Sequence, residues 1–332
     1  MAFVIAALNE ERHIEECVRS LLDQDYPGEG IEVVVVDGGS TDRTREIVEA
    51  LSGADPRVRL LHNPRRIAPA AFNIGIAGTA AELVSLVSAH STTDPRYAAV
   101  LVEAFDASGA SLVGGRETAE AVSGAGPMAE AIVRATASPL GQGPAQYHYS
   151  ERPGWVDTAY PGAYRRELLD EIGGFDESLI RNQDDELHFR ARLAGHRMWF
   201  EPRLRSSYRP RPALGALWRQ YYQYGWWRLA TLRKHGRVAS LRHLVPAALV
   251  AGVVGGPLLA LVGPRRPLLG TWAGGIVVWL GVLGYAGWRE RDHGTAVAGR
   301  VPIAVACLHL GYGCGFWHAV ASSLPRPGPV HS

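Results

Sequence analysis

The chain has 332 residues, of which 47% are hydrophobic, and its formal net charge is +1. This length accommodates one sizeable α/β domain together with a smaller second region. Its three cysteines, Cys17, Cys307 and Cys314, lack the spacing of a zinc module or of a disulfide framework, which excludes both classes and fits a reducing compartment.

The first 200 residues alternate short β-rich runs with amphipathic stretches, which is typical of a sheet covered by helices. We predict early strands at residues 3–8, 31–36, 58–61 and 83–87. The valines at 33–36 form an unbroken run, so this strand is expected to be buried on both faces. The first residues show no signal-peptide pattern, and we expect this half of the chain to stay in the cytosol.

Polar residues follow three of these predicted strands. Asn9, Asp37 and Ser88 each fall at a carboxyl end, where open α/β sheets bind their ligands. Asp37 is followed by two glycines, Gly38 and Gly39, and then by residues that cap a helix. Such a turn suits close approach of a nucleoside, although a purely structural turn is the alternative. A dinucleotide fold is disfavoured because the first strand lacks its glycine motif.

An acidic cluster lies at residues 173–186, ahead of a predicted amphipathic helix at 187–193. A carboxylate can act as a general base that deprotonates a substrate hydroxyl group, and this cluster is the strongest source of one in the chain. The alternative is that these acids complement the dipole at the start of the helix.

A basic, aromatic segment occupies residues 202–243, with ten Arg or Lys residues and no Asp or Glu. Its aromatic residues include Trp218, Tyr221, Tyr222, Tyr224, Trp226 and Trp227. This composition indicates an anchor at a negatively charged leaflet and therefore a cytoplasmic catalytic domain. A second role is contact with the diphosphate of a lipid-linked acceptor, since guanidinium groups match phosphate oxygens.

Three apolar stretches of roughly spanning length follow, at residues 244–263, 268–288 and 301–324. They are rich in glycine, which membrane helices use for close packing. We predict a multi-pass membrane protein, with a buried soluble helical bundle as the alternative. The orientation of the spans after the first is left open, because Arg265 and Arg266 would then lie in an external loop, against the positive-inside tendency.

The motifs Ala7-Leu8-Asn9-Glu10-Glu11, Asp37-Gly38-Gly39-Ser40-Thr41-Asp42 and Ala70-Ala71-Phe72-Asn73-Ile74-Gly75, in this order and spacing, resemble those of family 2 glycosyltransferases. The resemblance implies a GT-A-like nucleotide-sugar-binding domain, with a mixed and mostly parallel sheet, at residues 1–205. Glu10 and Asp37 would hold the nucleoside and Ala7 would pack against the base. Arg66 and Asn73 would border the diphosphate, with a helix cap as the alternative role of Asn73.

The family's metal-binding Asp-x-Asp is replaced here by Ser88-Ala89-His90. This is similar to a subgroup of succinoglycan-type glycosyltransferases that carries Asp-Ala-His. Imidazole suits Mn²⁺ better than Mg²⁺, and His90 with Asp94 is the candidate site for either divalent metal. The alternative is a hydrogen-bonded loop histidine without a metal.

The family's Glu-Asp pair corresponds to Gln183 and Asp184, which makes Asp184 the implied catalytic base and Asp185 the second choice. Further residues are expected to line the acceptor or sugar pocket: Asp157, Tyr160, Gln183, Glu186, Gln223, Trp226 and Trp227. Processive relatives carry Gln-x-x-Arg-Trp, whereas Gln223 here is followed by Trp226 and Trp227. Addition of a single sugar is therefore favoured.

We therefore predict an inverting, membrane-associated enzyme of exopolysaccharide or cell-envelope synthesis. It would move a sugar from a nucleotide diphosphate to a lipid-linked or glycan acceptor, with no nucleic-acid partner. The predicted divisions are the catalytic domain, an interfacial segment at 206–243, spans within 244–324 and a tail at 325–332. The alternatives are a sugar-nucleotide hydrolase or nucleotidyltransferase, and a non-catalytic membrane scaffold.

Overall fold

The computed structural model describes residues 1–26, 30–120, 124–143, 146–208, 212–237, 240–262 and 265–322. The chain divides into two compact units, one of Met1–Thr118 with Ala145–Arg209 and one of Ala119–Pro144 with Pro210–Ser332. The grouping of residues 119–144 with the C-terminal helices was not anticipated from the sequence. The predicted tail at 325–332 lies outside the described residues.

The strands are β1 Ala2–Ala7, β2 Glu32–Asp37, β3 Val58–His62, β4 Leu83–Ser88, β5 Ser91–Thr93, β6 Leu112–Ala119, β7 Gly154–Val156, β8 Gly162–Arg165 and β9 Met198–Tyr208. The helices are α1 Ile14–Leu22, α2 Thr44–Ala54, α3 Ala68–Ala77, α4 Tyr97–Ser108, α5 Gly126–Thr136, α6 Pro139–Gln142, α7 Arg166–Ile172, α8 Gln183–Leu193, α9 Leu214–His235, α10 Val245–Val262, α11 Arg265–Arg289, α12 Thr295–Ala298 and α13 Val301–Ala321. The four early strands confirm the sequence prediction to within one or two residues.

The first unit is built on one mixed sheet. Its strands lie in the order β3-β2-β1-β4-β8-β6-β9-β5, with β7 beside β9. The pairs among β3, β2, β1 and β4 are parallel, and β8 is antiparallel to both β4 and β6. The predicted α/β class is confirmed. Because the parallel strands share one direction, β1, β2 and β4 end at the same edge of the sheet.

Helices cover both faces of this sheet, as the valine run predicted. Val33 and Val35 pack with α1, α2 and α4 in one core, whereas Val34 and Val36 pack with α3, α7 and α8 in another. All four valines are fully buried. Polar side chains of β1 and β2 are thereby excluded from the strand interiors and collect at the ends.

The second unit is helical, and its described residues include three helices long and apolar enough to cross a membrane: Leu241–Leu259, Arg266–Arg289 and Thr295–Ala321. Many of their apolar side chains are exposed, among them Val277 at 67% and Leu258 at 59%. A soluble bundle would bury such a surface, whereas lipid covers it. The protein is therefore a membrane protein.

Glycines allow α9 and α13 to pack closely within this unit. A Cβ on Gly225 would collide with the Tyr312 carbonyl, and one on Gly315 with the Tyr222 carbonyl. Small residues at such crossings bring two backbones together, which is how membrane helices associate without a hydrophobic driving force. Only part of the glycine content of the described spans is used in this way. A Cβ would meet no atom within 4 Å at Gly252, Gly255, Gly270, Gly274, Gly275, Gly281 or Gly284.

Gly75 in α3 offers a test of packing in the first unit, because a Cβ there would collide with the Val4 side chain of β1. We expect Gly75→Ala to destabilise this unit by about 1–3 kcal/mol through overpacking. Gly53 in α2 has no neighbour within 4 Å of its Cβ position. Gly53→Ala is the control and should be neutral or stabilising by up to about 1 kcal/mol. Thermal unfolding followed by circular dichroism would measure both; equal melting temperatures would contradict this packing.

Candidate active site

The ends of β1 and β2 meet in one turn region. The backbone N–H of Gly38 donates to the Ala7 carbonyl at 2.8 Å. A Cβ on Gly38 would lie 3.6 Å from the Cα of Arg66, so this segment also approaches the turn. Three of the predicted nucleotide-binding elements, at Ala7, Gly38 with Gly39, and Arg66, therefore lie side by side.

The Asp37 carboxylate organises the turn that follows it. It accepts hydrogen bonds from the N–H of Gly39 at 3.1 Å and from the Ser40 hydroxyl at 2.6 Å. Gly39 has a φ of +79°, which favours glycine. Across the turn, the Asn9 amide oxygen accepts from the Thr41 N–H at 2.8 Å. Asn9 and Asp37 thus hold a preformed loop at the sheet edge.

The second cluster joins the ends of β1 and β4. His90 Nδ1 lies 3.5 Å from Glu10 Oε1, and His90 Nε2 lies 3.2 Å from the Ser88 hydroxyl. The His90 side chain is 41% exposed and that of Glu10 is 24% exposed. An imidazole, a carboxylate and a hydroxyl group therefore converge at an accessible point beside the turn, as expected from strand ends that share one edge.

Asn73 connects α3 to the loop that precedes the acidic helix. Its amide oxygen accepts from the Phe175 N–H at 2.7 Å, and its amide nitrogen donates to the Phe175 carbonyl at 2.9 Å. The same nitrogen donates to Glu177 at 3.0 Å. Asn73 lies inside α3, so its alternative role as a helix cap is wrong. It fixes the loop instead.

The acidic helix α8 begins at Gln183, four residues earlier than predicted from the sequence. Asp184, Asp185 and Glu186 therefore occupy its first turn, where they complement the helix dipole. Successive residues of a helix point about 100° apart, because one turn takes 3.6 residues. The three acids consequently have different surroundings.

Asp185 belongs to a hydrogen-bonded chain under the helix. Thr158 lies 3.4 Å from the Asp185 carboxylate and 3.0 Å from His188 Nδ1, and the Tyr164 hydroxyl lies 3.1 Å from His188 Nε2. Burial lowers the pKa of His188 to about 4, so the ring is neutral at pH 7. Asp157 lies close enough for its charge to oppose this shift. Sequence analysis missed His188.

Glu186 is fully buried and is paired with Arg190, which donates to both carboxylate oxygens at 3.0 Å. Arg190 also donates to the carbonyls of Ile172 at 2.6 Å and Gly174 at 2.7 Å. The structure therefore brings Glu186 together with the loop at 172–174. Through Arg190, the Glu186 carboxylate stabilises residues 172–174, which precede α8.

Asp184 is half-buried, and its charge acts on a different group, Glu117 of β6. Burial raises the pKa of Glu117 to about 8, and the Asp184 charge is a second, smaller cause of this shift. Glu117 lines a cavity of about 10 Å³, close to the space of one water molecule, here called the central cleft, whose other walls include Ser88, Tyr160 and Ser206. Ser88 also contacts His90, so this cavity lies beside the His90 cluster.

Comparison with known proteins identifies the family. Residues 2–173 match the model of glycosyl transferase family 2, which is just over half of the chain. The chain belongs to glycosyl transferase family 2. It is accordingly a glycosyltransferase, and the resemblance inferred from the three motifs is confirmed.

Two relatives illustrate the breadth of this similarity. The chain is 35% identical to the succinoglycan biosynthesis protein ExoA of Rhizobium meliloti over 318 residues, which is 95% of this chain and 93% of the relative. It is 24% identical over 233 residues to a dolichyl N-acetyl-alpha-D-glucosaminyl phosphate 3-beta-D-2,3-diacetamido-2,3-dideoxy-beta-D-glucuronosyltransferase of Methanococcus voltae, 68% of this chain and 71% of the relative. The similarity to the first relative extends through the helical unit.

Solved structures share the fold. The mannosyltransferase PcManGT of Pyrobaculum calidifontis, in complex with GDP-Man and Mn²⁺, aligns with a TM-score of 0.59 at 20% identity, covering 93% of this chain and 86% of that one. Residues 1–349 of TarS from S. aureus, in complex with UDP-GlcNAc, align with a TM-score of 0.53 at 17% identity, covering 96% and 91%. Both support the expected GT-A-like architecture.

Few of the described side chains in this family 2 enzyme are placed to ligate a metal ion. Among the described residues, no group of three or more His, Cys, Asp or Glu side chains is placed to hold a metal ion. The groups that surround His90 are Glu10 and Ser88. The Asp94 carboxylate accepts the Arg96 N–H at 2.9 Å before α4. His90 and Glu10 fit a divalent cation provided that substrate oxygens complete its coordination.

Gln223, Trp226 and Trp227 lie on α9 in the helical unit. Trp226 is 9% exposed and contacts the His318 ring edge-on at 4.9 Å, and Trp227 is 3% exposed. The two tryptophans are therefore packing residues of α9, and their part in acceptor binding stays a prediction.

The Glu186–Arg190 pair tests whether this family 2 enzyme uses Glu186 structurally. Arg190→Met leaves a buried, uncompensated carboxylate, which should cost about 3–5 kcal/mol. The double variant Glu186→Leu with Arg190→Met removes that charge and should recover more than half of the loss. Thermal unfolding of the two variants measures the difference. A stable single variant, or a double variant as unstable as the single one, would contradict this structural role.

Proposed function

We propose that this glycosyltransferase transfers one sugar, with inversion, from a nucleotide-diphosphate donor to a lipid-linked or polysaccharide acceptor at the cytoplasmic face of the membrane. The observation that carries the proposal is the shared edge of β1, β2 and β4. There the Asp37 turn, the Glu10–His90 pair and the small cavity beside Ser88 lie in the same unit as Asp184.

The donor's nucleoside would occupy the turn after β2. Asp37 and Asn9 hold this loop in advance, so little ordering is left for binding to accomplish. Ala7 offers a small apolar surface beside it, and Gly39 allows close approach of the ligand. Arg66 adds a positive charge at the same place, where a diphosphate would need it.

The diphosphate leaving group would lie at His90. Binding of Mn²⁺ or Mg²⁺ by His90 and Glu10 is supported by their 3.5 Å approach and by the Mn²⁺ named in the PcManGT complex. Such a cation supplies charge neutralisation to a departing diphosphate. The other ring nitrogen of His90 lies 3.2 Å from the Ser88 hydroxyl, which orients the ring.

Asp184 would act as the general base. It takes the proton of the acceptor hydroxyl group while that oxygen attacks the anomeric carbon and the bond from this carbon to the diphosphate breaks. Attack from the side opposite the leaving group inverts the anomeric configuration. Asp185 lies 3.4 Å from Thr158 and Glu186 is paired with Arg190, whereas the charge of Asp184 acts on Glu117 in the wall of the central cleft. Gln183, Asp157 and Tyr160 border the acceptor or sugar pocket.

A membrane-borne acceptor is supported by the helical unit and by relatives. Three helices suffice to cross a membrane, and the basic segment at 202–243 suits an anionic cytoplasmic leaflet. The names of the two relatives refer to succinoglycan biosynthesis and to a dolichyl glycosyl phosphate substrate. Trp226 in place of the arginine of processive relatives favours addition of one sugar.

The function is tested by incubating membranes that contain the enzyme with a panel of labelled nucleotide sugars and a lipid extract as acceptor. We expect label from one donor to enter the lipid or polysaccharide fraction together with release of nucleoside diphosphate. Release of free sugar without acceptor would instead indicate a hydrolase, and no turnover with any donor would oppose catalysis.

Substitutions then separate the two halves of the site. Asp184→Asn should lower turnover by at least about a hundredfold, the usual contribution of a general base, while nucleotide binding survives. Asp37→Asn should weaken nucleotide binding, because an amide cannot replace a carboxylate that accepts several hydrogen bonds. Asp185→Asn is the matched control and should retain most activity.

Titration calorimetry measures the affinity of each purified variant for nucleoside diphosphate, and a transfer assay measures its turnover. Undiminished turnover by Asp184→Asn would reject Asp184 as the base. A loss in Asp185→Asn equal to that in Asp184→Asn would transfer the role to Asp185 or to the turn as a whole.

A further inference from the structure

The three helices that are long and apolar enough to cross a membrane have different surroundings. The most apolar windows of Leu241–Leu259 and Arg266–Arg289 are 11% and 6% buried, whereas that of Thr295–Ala321 is 44% buried. α10 and α11 pack against each other as a hairpin, in which the Trp272 indole N–H donates to the Val253 carbonyl at 3.2 Å. Lipid suits the exposed apolar surface of this hairpin. The position of α13 is set instead by its protein neighbours.

The principal neighbour of α13 is α9, which runs beside it in the same direction. Four contacts follow one another along the two helices: Leu214 with Cys307, Trp218 with Gly311, Tyr222 with Gly315 and Arg233 with Ala319. The last of these is a hydrogen bond of 3.4 Å from the Arg233 guanidinium to the Ala319 carbonyl. Because the residue numbers increase together in both helices, α13 lies at the same depth as α9 over this length.

α9 is too cationic to lie inside a bilayer. Its basic residues are Arg219, Arg228, Arg233, Lys234 and His235. Arg228 is 6% exposed and donates to the Tyr312 hydroxyl at 3.3 Å, beside the midpoint of α13. If α13 crossed the membrane, this midpoint would lie at the bilayer centre, where one Arg costs about 2.5–3.5 kcal/mol. Basic and aromatic side chains are favoured instead at the lipid headgroups, and Trp218 and Trp317 are exposed beside these cations at 37% and 41%.

α5 and α6 cover the first half of α13. Ile132 of α5 shares a hydrophobic core with Val305, and His309 Nε2 lies 2.8 Å from the Leu140 carbonyl. Both ends of residues 119–144, which carry α5 and α6, continue directly into the first unit. Two membrane crossings would need about 40 helical residues, more than this segment contains. α5 and α6, with the half of α13 beside them, therefore stay on the side of the membrane from which this segment comes.

α13 meets the hairpin at its base, which is the end where α10 begins and α11 ends. A Cβ on Gly313 would collide with the Pro246 carbonyl, and the Trp317 indole N–H donates to the Ala247 carbonyl at 2.7 Å. The α11 residues that pack in a core with α13 lie in its last three turns and are Trp279, Leu283 and Ala286. Farther along α10, Leu258 is 59% exposed. These contacts place α13 beside the base of the hairpin rather than along its whole length.

We propose that, of these three helices, α10 and α11 cross the membrane, whereas α13 stays with α9 at the lipid surface where α10 begins. The cations of α9 are then available to lipid phosphates, and the exposed apolar residues of α10 and α11 face acyl chains. The end of α13 would lie on the same side as α9, and the start of α11 on the opposite side. The inference concerns membrane sides and does not depend on the proposed transferase function.

Accessibility of single cysteines in the full-length protein tests this arrangement. The native residues Cys17, Cys307 and Cys314 are first replaced by alanine. One cysteine is then introduced at an exposed position, as Arg266→Cys at the start of α11, Ala321→Cys at the end of α13 or Lys234→Cys at the end of α9. Intact and permeabilised cells are treated with a maleimide that does not cross membranes. We expect Arg266→Cys to be labelled in intact cells, and Ala321→Cys to be labelled only after permeabilisation, like Lys234→Cys.

The side on which Ala321→Cys is labelled, relative to the two controls, decides the inference. Labelling of Ala321→Cys together with Arg266→Cys would overturn it, because α13 would then cross the membrane. Labelling of Arg266→Cys on the same side as Lys234→Cys would also overturn it, because the hairpin would not cross. If Lys234→Cys and Ala321→Cys were labelled in intact cells and Arg266→Cys only after permeabilisation, the inference would hold, and the cytoplasmic orientation of the proposed function would be wrong.

Reporter fusions to the wild-type chain keep the test decisive if a cysteine variant fails to reach the membrane. Alkaline phosphatase is active outside the cytoplasm, whereas green fluorescent protein exported unfolded across the membrane stays dark. Each reporter is fused ahead of Met1 or to the C-terminus of the full chain. We expect both ends to give fluorescence without phosphatase activity, since two crossings return the chain to its starting side. Ends that report opposite sides would contradict the inference.

Discussion

Burial of the parallel strands on both faces is the constraint from which the site follows. The side chains of β1 and β2 alternate between two hydrophobic cores, so neither strand has room for a polar residue along its length. The polar residues stand where the strands stop, and parallel strands stop together. Asn9, Asp37 and Ser88 are neighbours for this reason, although up to 79 residues separate them along the chain.

The acidic turn shows how three consecutive acids obtain three different surroundings. Glu186 is paired with Arg190 inside the unit, Asp185 lies near Thr158, and the Asp184 charge acts on Glu117. Helical geometry alone separates them, because neighbouring side chains diverge by about 100°. The Asn73 contact with Phe175 then fixes the loop before this turn to the nucleotide half of the unit.

Strands, fold class and membrane segments could be predicted because each depends on local patterns: the valine run, the glycine-rich spans and the motif series. The start of α8 could not be predicted, because the residue before it, Asn182, has a φ of 59° that no sequence pattern indicates. Glu117 and His188 were missed because their behaviour comes from burial by distant segments.

The central claim is that nucleotide, leaving-group residues and general base share one cleft at the ends of β1, β2 and β4. An experimental structure of the enzyme with a bound nucleoside diphosphate tests it most directly. We predict the nucleoside over the turn at Asp37, the diphosphate beside His90, and the Asp184 carboxylate directed toward the same cleft. Nucleotide bound elsewhere, or an Asp184 side chain turned away from it, would contradict the account.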